Sequence, residues 1–224
     1  LEALRALTAR IGCCAVVTGR AAIDAVRLGG LAEVPRLHVL GHYGLERWYA
    51  GQLDSPDAVP AVARARDRLR GLVAAAPAGV HLEDKGHSLV VHTRPATDPA
   101  AALADLRAPV DRLAAELGLE VVPGRFVLEL RPSGIDKGAA VRRLAADRDP
   151  AAMLYLGDDL GDLPAYAAVE SLRREGIPGL TVASVDPRLD DAPPQLAARA
   201  DLVLGGPEQV VAFLTALAAA VGEP

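Results

Sequence analysis

The segment Tyr155-Leu-Gly-Asp-Asp-Leu-Gly-Asp162 decides the fold class of this chain of 224 residues. The short apolar stretch over 151–156 is typical of a buried strand. It runs directly into three aspartates, Asp158, Asp159 and Asp162. Carboxylates so close together repel one another, and a hard cation with oxygen ligands, such as Mg²⁺, relieves that repulsion. The segment therefore predicts a magnesium site at the carboxyl end of a buried strand.

A purely structural role for these aspartates is the alternative. Acidic residues after a strand often cap the next helix, and Asp162 precedes a helical pattern over 163–173. Each cap needs only one aspartate, so a cluster of three favours the cation site.

Lys137 supplies the second part of the predicted site. A helix predicted over 136–148 places this lysine near the helix amino end, where an anion such as phosphate is favoured. Cation-binding carboxylates and a lysine together are the groups that stabilise charge in phosphoryl transfer. The sequence therefore predicts phosphoryl-transfer chemistry.

Composition opposes several other classes of protein. The net charge of −5 opposes nonspecific binding to nucleic acid. No apolar run approaches the roughly 18 residues of a membrane span. The only two cysteines, Cys13 and Cys14, are adjacent, which favours neither a disulfide framework nor a C-x-x-C site. With no recognisable signal peptide, we expect a cytoplasmic protein that binds neither nucleic acid nor membranes.

Alternating strands and helices at both ends of the chain predict a parallel sheet. Near the start, a strand over 13–17 runs into Thr18 and Arg20, where a hydroxyl and exposed amides can donate to a phosphate oxygen. Thr18 can equally serve as the N-cap of a helix over 21–28, and this alternative stays open. Ligands of such sheets bind at the carboxyl ends of the strands, where Thr18, Lys137 and Asp158 are expected to converge.

An inserted unit interrupts this alternation. Its patterns predict a helix, two strands, a second helix from Thr97-Asp98-Pro99 and a hairpin turning at Pro123-Gly124. We therefore expect an α/β protein with a Rossmann-like parallel-sheet core, formed by 1–55 and 133–224, and an inserted α+β unit of αββαββ order over 56–132.

Period-two alternation predicts a polar face on the inserted sheet. Glu83 and Lys85 are two residues apart and share one face of their strand. Glu129 and Arg131 likewise share a face, opposite Leu128 and its apolar neighbours. Carboxylates and a lysine are good hydrogen-bond partners for sugar hydroxyls. The alternative is that this face is simply solvated.

A series of motifs occurs in the order of one known enzyme family. They are Val16-Val-Thr-Gly-Arg20, Gly41-His-Tyr-Gly-Leu-Glu46, Leu82-Glu-Asp-Lys-Gly86 with His92-Thr-Arg94, Val127-Leu-Glu-Leu-Arg-Pro132, Gly134-Ile-Asp-Lys-Gly138, and Gly157-Asp-Asp159 with Asp162. With them the chain resembles the trehalose-6-phosphate phosphatases of the haloacid dehalogenase superfamily over nearly its whole length. The motifs containing Glu83 and Glu129 point to the trehalose branch.

The resemblance implies a Mg²⁺-dependent phosphatase that converts trehalose 6-phosphate to trehalose and phosphate through a phospho-aspartate. Thr18 would hydrogen-bond the phosphoryl group, and Lys137 would hold that group. Asp158 would ligate Mg²⁺ directly, with Asp159 and Asp162 ligating through water or orienting the site.

The resemblance also assigns the inserted unit to a cap that closes over the core. Glu83, Lys85 and Glu129 would recognise the glucose hydroxyls, and Arg20 and Arg131 are included among the expected substrate-binding residues. A trehalose-phosphate synthase is an expected candidate partner.

One part of the family pattern has no match in this sequence. The family's nucleophile is the first Asp of an Asp-x-Asp-Gly-Thr segment at the end of the first strand, and its second Asp is the general acid/base. Without this segment there is no phospho-aspartate and one fewer Mg²⁺ ligand. Loss of a central strand would also leave two rows of backbone groups unpaired. Since the chain begins with Leu1 and not Met, we expect that the sequence is truncated and that the intact protein carries the nucleophile.

Two alternative functions stay open. One is a phosphatase for another sugar phosphate, such as a glucosylglycerate- or sucrose-type ester. The other is a catalytically inactive sugar-phosphate-binding or regulatory module, which the absent nucleophile favours. The presence of Thr18, Lys137 and the three aspartates favours an enzyme.

Overall fold

A computed structural model of the chain describes residues 1–57, 59–186 and 194–221. The helices of these residues are α1 (Glu2–Thr8), α2 (Ala22–Gly29), α3 (Pro60–Ala74), α4 (Pro99–Leu117), α5 (Lys137–Arg148), α6 (Leu163–Arg174), α7 (Pro194–Arg199) and α8 (Pro207–Ala220). The strands are β1 (Cys14–Val17), β2 (Leu37–Gly41), β3 (Glu46–Tyr49), β4 (Gln52–Asp54), β5 (His81–Asp84), β6 (Leu89–His92), β7 (Leu119–Gly124), β8 (Val127–Pro132), β9 (Met153–Gly157), β10 (Gly179–Ser184) and β11 (Leu202–Leu204). Within the described ranges, no helix combines the length and apolarity needed to cross a bilayer.

The chain folds into two compact units. The first runs from Leu1 to Asp54 and from Asp136 onward, and the second is Ser55–Ile135. The second unit has the order α3-β5-β6-α4-β7-β8, and its sheet has the strand order β5-β6-β8-β7 with antiparallel pairs throughout. The predicted α/β architecture with an inserted αββαββ unit is confirmed.

The first unit contains two separate sheets where the sequence predicts one parallel sheet. In the first sheet β1 and β2 are parallel, and β3 and β4 are added antiparallel. In the second sheet the order is β11-β10-β9, with parallel pairs. Among the described residues no strand pairs with the second edge of β1 or of β9. The side chains of β1 are half-buried, as are those of Met153–Leu156 in β9, whereas β2 is fully buried.

The hairpin of β3 and β4 is not predicted by the sequence, whose pattern there indicates only an aromatic cluster at Trp48-Tyr49 and a linker at Asp54-Ser-Pro-Asp57. Its two turn residues, Ala50 and Gly51, both have positive φ angles, 49° and 82°. Such a turn matches the twist of the flanking strands. An Ala-Gly pair is a weaker turn signal than Asn-Gly, because alanine rarely adopts this conformation.

Each unit has its own hydrophobic core. In the first unit, Val39 and Trp48 of neighbouring strands pack against α2. In the second, Leu69 of α3 and Val110 of α4 pack with Leu128 of β8, and all three are fully buried. Burying such side chains is the main stabilising term for each unit.

Two predicted details are wrong. The hairpin predicted to turn at Pro123-Gly124 turns instead at Arg125 and Phe126, and Gly124 pairs with Val127. Pro123 is tolerated inside β7 because β7 is an edge strand, where a missing N–H breaks no ladder bond. The sequence pattern of the closing helix, over 207–221, also predicts that Val211 faces inward. Val211 is instead 56% exposed, since it lies one residue away from the half-buried stripe of that helix.

Candidate active site

Asp162 is the most deeply buried acid of the predicted site, with 2% of its surface exposed. Its Oδ1 accepts hydrogen bonds from Lys137 Nζ at 2.7 Å and from the Tyr155 hydroxyl at 2.6 Å. Its Oδ2 accepts from the backbone amides of Asp158 at 3.0 Å and Asp159 at 3.1 Å. A carboxylate offers about four lone-pair positions, so these bonds satisfy it. Asp162 therefore acts as an orienting group in this arrangement.

The surroundings of these acids move their pKa values in opposite directions. Burial favours the neutral form of Asp162, but the charge of Lys137 and the hydrogen bonds to the carboxylate outweigh it, so its pKa is lowered. The pKa of Asp159 is raised, chiefly by burial and against the pull of Lys137. Burial and the adjacent Asp162 raise the pKa of Tyr155. At neutral pH Asp162 is thus ionised while Tyr155 keeps the proton that it donates.

Local capping bonds set the positions of these groups. The carboxylate of Asp136 accepts a bond of 2.6 Å from the Ala139 amide, which starts α5 at Lys137. Asp159 caps the single turn Leu160–Asp162, where it forms a reciprocal capping box with Asp162. The capping alternative, which concerns Asp162 and the helix after it, is wrong, because the side chain of Asp162 does not cap α6. The capping contact of Asp159 is one that sequence reasoning does not predict.

Two glycines allow the end of β9 and the start of α5 to approach α6. A Cβ on Gly157 would lie 2.5 Å from the Cβ of Asp162. A Cβ on Gly138 would lie 2.3 Å from the carbonyl oxygen of Pro164. Because neither position has room for a side chain, glycine is needed at both for Lys137 to reach Asp162.

The three aspartates also fit a cation. Ligand oxygens of Asp158, Asp159 and Asp162 lie within 4.8 Å of one another, the first two on exposed residues. Carboxylate oxygens are the ligands that Mg²⁺ prefers. Because Asp162 is already satisfied, Asp158 and Asp159 are the residues suited to bind the ion directly. Lys137 Nζ lies 3.7 Å from Asp159 Oδ1, so the cationic side chain and the candidate ion site are adjacent.

Thr18 and Arg20 lie at the carboxyl end of β1. The Thr18 hydroxyl accepts the Arg20 amide at 3.2 Å, so it does not cap α2. The amide of Ala22 at the start of α2 donates instead to Glu46 Oε2 at 2.7 Å, a buried contact that the sequence did not reveal. In the described chain no hydrogen bond or ion pair joins Thr18 or Arg20 to Lys137 or the aspartates. Their roles at the phosphoryl group stay predictions.

The second unit carries the remaining predicted residues on one face of its sheet. Glu83, Val90 and Glu129 are paired directly across β5, β6 and β8, so their side chains share a face. Leu128 and Leu130 point the other way, into the core. The predicted alternation of β8 is therefore confirmed.

Neighbouring polar groups hold each of these side chains. His92 Nε2 lies 2.8 Å from Glu83 Oε2. Arg131 Nε donates to Glu120 Oε1 at 2.6 Å. Lys85 Nζ lies 3.7 Å from Glu129 Oε1, the same oxygen that accepts the hydroxyl of Ser88 at 2.8 Å.

Sequence reasoning gave no role to the side chains of Tyr155, His92 or Ser88. His92 and Ser88 contact residues of another strand, and Tyr155 contacts Asp162 in the turn that follows its own strand, so none of these contacts is encoded in a local sequence pattern. Tyr155 could have been predicted as a partner of the aspartates, because it lies on the strand that ends at them and a buried tyrosine hydroxyl usually needs a hydrogen-bond partner.

The fold resembles those of several solved structures. One is the C-terminal domain of a trehalose-6-phosphate phosphatase from Candida albicans, with a TM-score of 0.72, 20% identity, and coverage of 97% of this chain and 82% of that one. Another is a haloacid dehalogenase-like hydrolase from Bacteroides thetaiotaomicron, with a TM-score of 0.70, 14% identity, and coverage of 96% and 90%. The fold is that of the haloacid dehalogenase-like hydrolases.

Sequence comparison identifies the family within this class. The trehalose-phosphatase family model matches residues 1–190, and the chain belongs to that family. A trehalose-phosphate phosphatase of Mycolicibacterium paratuberculosis is 33% identical over 185 residues, which is 73% of this chain and 43% of the relative. An uncharacterized glycosyl hydrolase of Mycobacterium tuberculosis is 34% identical over 191 residues, covering 75% of this chain and 13% of the relative. The chain thus spans less than half the length of these curated relatives.

Proposed function

We propose that the intact protein is a Mg²⁺-dependent phosphatase that hydrolyses trehalose 6-phosphate to trehalose and inorganic phosphate. The observation that carries the proposal is the bond between Lys137 and Asp162 beside two exposed aspartates. The positive side chain of Lys137 in α5 is bonded to one acid of the oxygen-rich cluster that follows β9, in a member of the trehalose-phosphatase family. Phosphoryl transfer needs little more from a protein than such positioning and charge stabilisation.

In this proposal, different residues of the first unit have different roles in binding the phosphoryl group. Lys137, at the amino end of α5, binds a phosphoryl oxygen, and Asp162 fixes the direction of its ammonium group. Asp158 and Asp159 would hold Mg²⁺, which when bound supplies Lewis-acid stabilisation of charge on the phosphoryl oxygens. Thr18 donates its hydroxyl to the same group.

The nucleophilic aspartate of the family belongs, in this proposal, to a segment of the intact protein outside the present sequence. In the part of the chain that the structure describes, β1 and β9 each have one edge with no paired strand, and this supports the assignment. A parallel strand between them would end at the same sheet edge as Thr18 and Asp158, because the carboxyl ends of parallel strands meet there.

The polar face of the second unit recognises the sugar in this proposal. Glu83 and Glu129 accept hydrogen bonds from glucose hydroxyls, and Lys85 donates to them. Arg20 and Arg131 complete the expected substrate-binding set. The contacts that hold Glu83, Glu129 and Arg131 in place support the proposal, since ordered side chains bind with a smaller entropy cost.

The proposal is tested by phosphate release from trehalose 6-phosphate by the full-length protein, with and without Mg²⁺. We expect activity that EDTA abolishes and a Lys137→Met variant that is slower by about 100-fold or more. Arg142→Met is the matched control, because Arg142 is an exposed cation on the same helix. It should keep wild-type activity.

A second variant separates sugar recognition from chemistry. Glu83→Ala should raise KM for trehalose 6-phosphate about 10-fold, as expected when a hydrogen bond to a charged group is lost. Unchanged turnover of trehalose 6-phosphate in Glu83→Ala would remove the proposed role of the polar face. If the protein released phosphate faster from another sugar phosphate than from trehalose 6-phosphate, the proposed substrate would be wrong and the other sugar phosphate would take its place.

Cellular location and partner are further parts of the proposal. A cytoplasmic location is supported by the two free thiols, Cys13 and Cys14. Association with a trehalose-phosphate synthase stays a prediction, which co-purification of the tagged protein with that enzyme from its own cells would test.

A further inference from the structure

Ser88 is a buried residue of the second unit that lies beside the polar face of its sheet. It follows the turn between β5 and β6, which is closed by a bond from the Lys85 amide to the Ser88 carbonyl at 3.0 Å. This bond places Ser88 opposite Lys85 and one residue before β6 begins at Leu89. Only 3% of Ser88 is exposed, so its hydroxyl must be satisfied within the protein.

The hydroxyl of Ser88 is committed to Glu129. It donates to Glu129 Oε1 at 2.8 Å in a buried contact, and Lys85 Nζ lies 3.7 Å from the same oxygen. Glu129 is 8% exposed. A buried carboxylate needs such donors, because removing it from water without partners is costly. The hydrogen bond from Ser88 and the nearby Lys85 ammonium both act on this one oxygen, and together they restrict the rotamer of the Glu129 side chain.

We propose that Ser88 is a positioning residue that presets Glu129 for hydroxyl recognition and thereby sets the preference for the sugar substrate. The inference rests on the proposed function, since it makes Glu129 an acceptor for a sugar hydroxyl. A glutamate held in one rotamer binds a hydroxyl without the ordering cost that a mobile glutamate has. Ser88 therefore acts on the affinity for the sugar and not on the phosphoryl chemistry.

The test compares two substrates of the full-length protein, trehalose 6-phosphate and p-nitrophenyl phosphate, which has no sugar. Ser88→Ala should raise KM for trehalose 6-phosphate about 3- to 10-fold, less than the loss of a direct hydrogen bond to a charged group, because Ser88 acts on the sugar only through Glu129. Its kcat for both substrates and its KM for p-nitrophenyl phosphate should not change. Ser88→Thr keeps the hydroxyl and should restore the low KM.

Two further variants exclude a merely structural effect. Thr93→Val removes another buried hydroxyl of the same unit, one that donates to the Pro99 carbonyl at 2.9 Å. It should lower the melting temperature without changing the KM for trehalose 6-phosphate. In a Glu129→Ala background, Ser88→Ala should have no further effect on KM, because the two residues then act as one unit.

The possible outcomes distinguish a failure of the proposed role of Ser88 from a failure of the proposed phosphatase function. If the wild-type protein does not prefer trehalose 6-phosphate to p-nitrophenyl phosphate, the proposed function fails and the role of Ser88 fails with it. If the wild-type protein shows the preference but Ser88→Ala keeps the wild-type KM, or changes both substrates equally, only the role of Ser88 is overturned. Additive effects of Ser88→Ala and Glu129→Ala would overturn it as well.

Discussion

The carboxylate of Asp162 illustrates how a single residue can combine burial with charge. Its four hydrogen bonds come from a lysine, a tyrosine and two backbone amides, and none of them depends on a bound ion. Losing one partner of a buried charge costs more than the bond was worth, because the charge remains. The arrangement therefore fixes the position of the Lys137 ammonium group beside Asp162.

Removal of the Tyr155 hydroxyl tests this role of Asp162. Tyr155→Phe should lower the free energy of unfolding by about 1–2 kcal/mol and phosphatase activity by about 3- to 10-fold, because Asp162 Oδ1 then has Lys137 as its remaining side-chain donor. Urea denaturation and phosphate release measure the two effects.

Tyr166→Phe is the matched control for that prediction. The Tyr166 hydroxyl is also buried and donates to the Val182 carbonyl at 2.7 Å. Its loss should reduce stability similarly and leave the activity within about 2-fold of the wild type. Equal losses of activity in the two variants would contradict a special role for Tyr155.

At the scale of elements, Asp201 ties together β10, α6 and the start of β11. It forms an ion pair with Arg173 and accepts the amide and hydroxyl of Thr181, each at 2.7 Å. The hydrogen bond from Arg173, followed by those from Thr181, holds the pKa of Asp201 far below its usual value. The stabilisation that follows is fully present above the unfolded pKa of about 3.9 and is lost as the pH falls toward the folded pKa.

Asp201→Asn should therefore destabilise the protein in a pH-dependent way. We expect a loss of about 1–2 kcal/mol at pH 7, kept small by the partial exposure of the ion pair, and a smaller loss below about pH 3. Thermal melts at several pH values measure the difference. Asp24→Asn is the control, since its ion pair with Arg27 is exposed on both sides, and it should change stability by less than about 0.5 kcal/mol. A loss for Asp201→Asn that does not vary with pH would contradict this account.

The elements also show what sequence could and could not predict. Asp158, Asp159 and Lys137 were predicted as site residues because each follows a strand or opens a helix, which are local patterns. The sequence predicts the start of α4 equally well from Asp98 and Pro99, and in the structure the side chain of Asp98 caps this helix. The bond from Tyr155 to Asp162 depends on the end of a strand folding back, and the buried bond from the Ala22 amide of α2 to Glu46 joins distant segments. Such contacts depend on tertiary geometry, which periodicity does not contain.

At the scale of the whole molecule, the two separate cores predict separate responses to mutation. Trp48, the only tryptophan, is 6% exposed and packs in a core of the first unit, so its fluorescence reports on that unit. Leu128→Ala in the second unit should destabilise that unit by about 3 kcal/mol, the cost of a large cavity. It should leave the unfolding transition of Trp48 unchanged.

The matched variant for this prediction lies in the core around Trp48. Val39→Ala should shift the Trp48 transition to lower denaturant concentration, because Val39 packs in the same core. Amide exchange in β6 and β8 should accelerate in Leu128→Ala and not in Val39→Ala. A shift of the Trp48 transition in Leu128→Ala would show that the two units unfold together.

The first unit is built from two stretches of chain, and this has a consequence for its synthesis. During translation β1 to β4 leave the ribosome well before α5, β9 and β10, with the whole second unit made in between. The second unit is continuous in sequence and can begin to fold while the first is still incomplete. Once its own sheet has formed, the effective loop between Asp54 and Asp136 is shorter, and closing a shorter loop loses less chain entropy. The inserted unit thus helps the two halves of the first unit to meet.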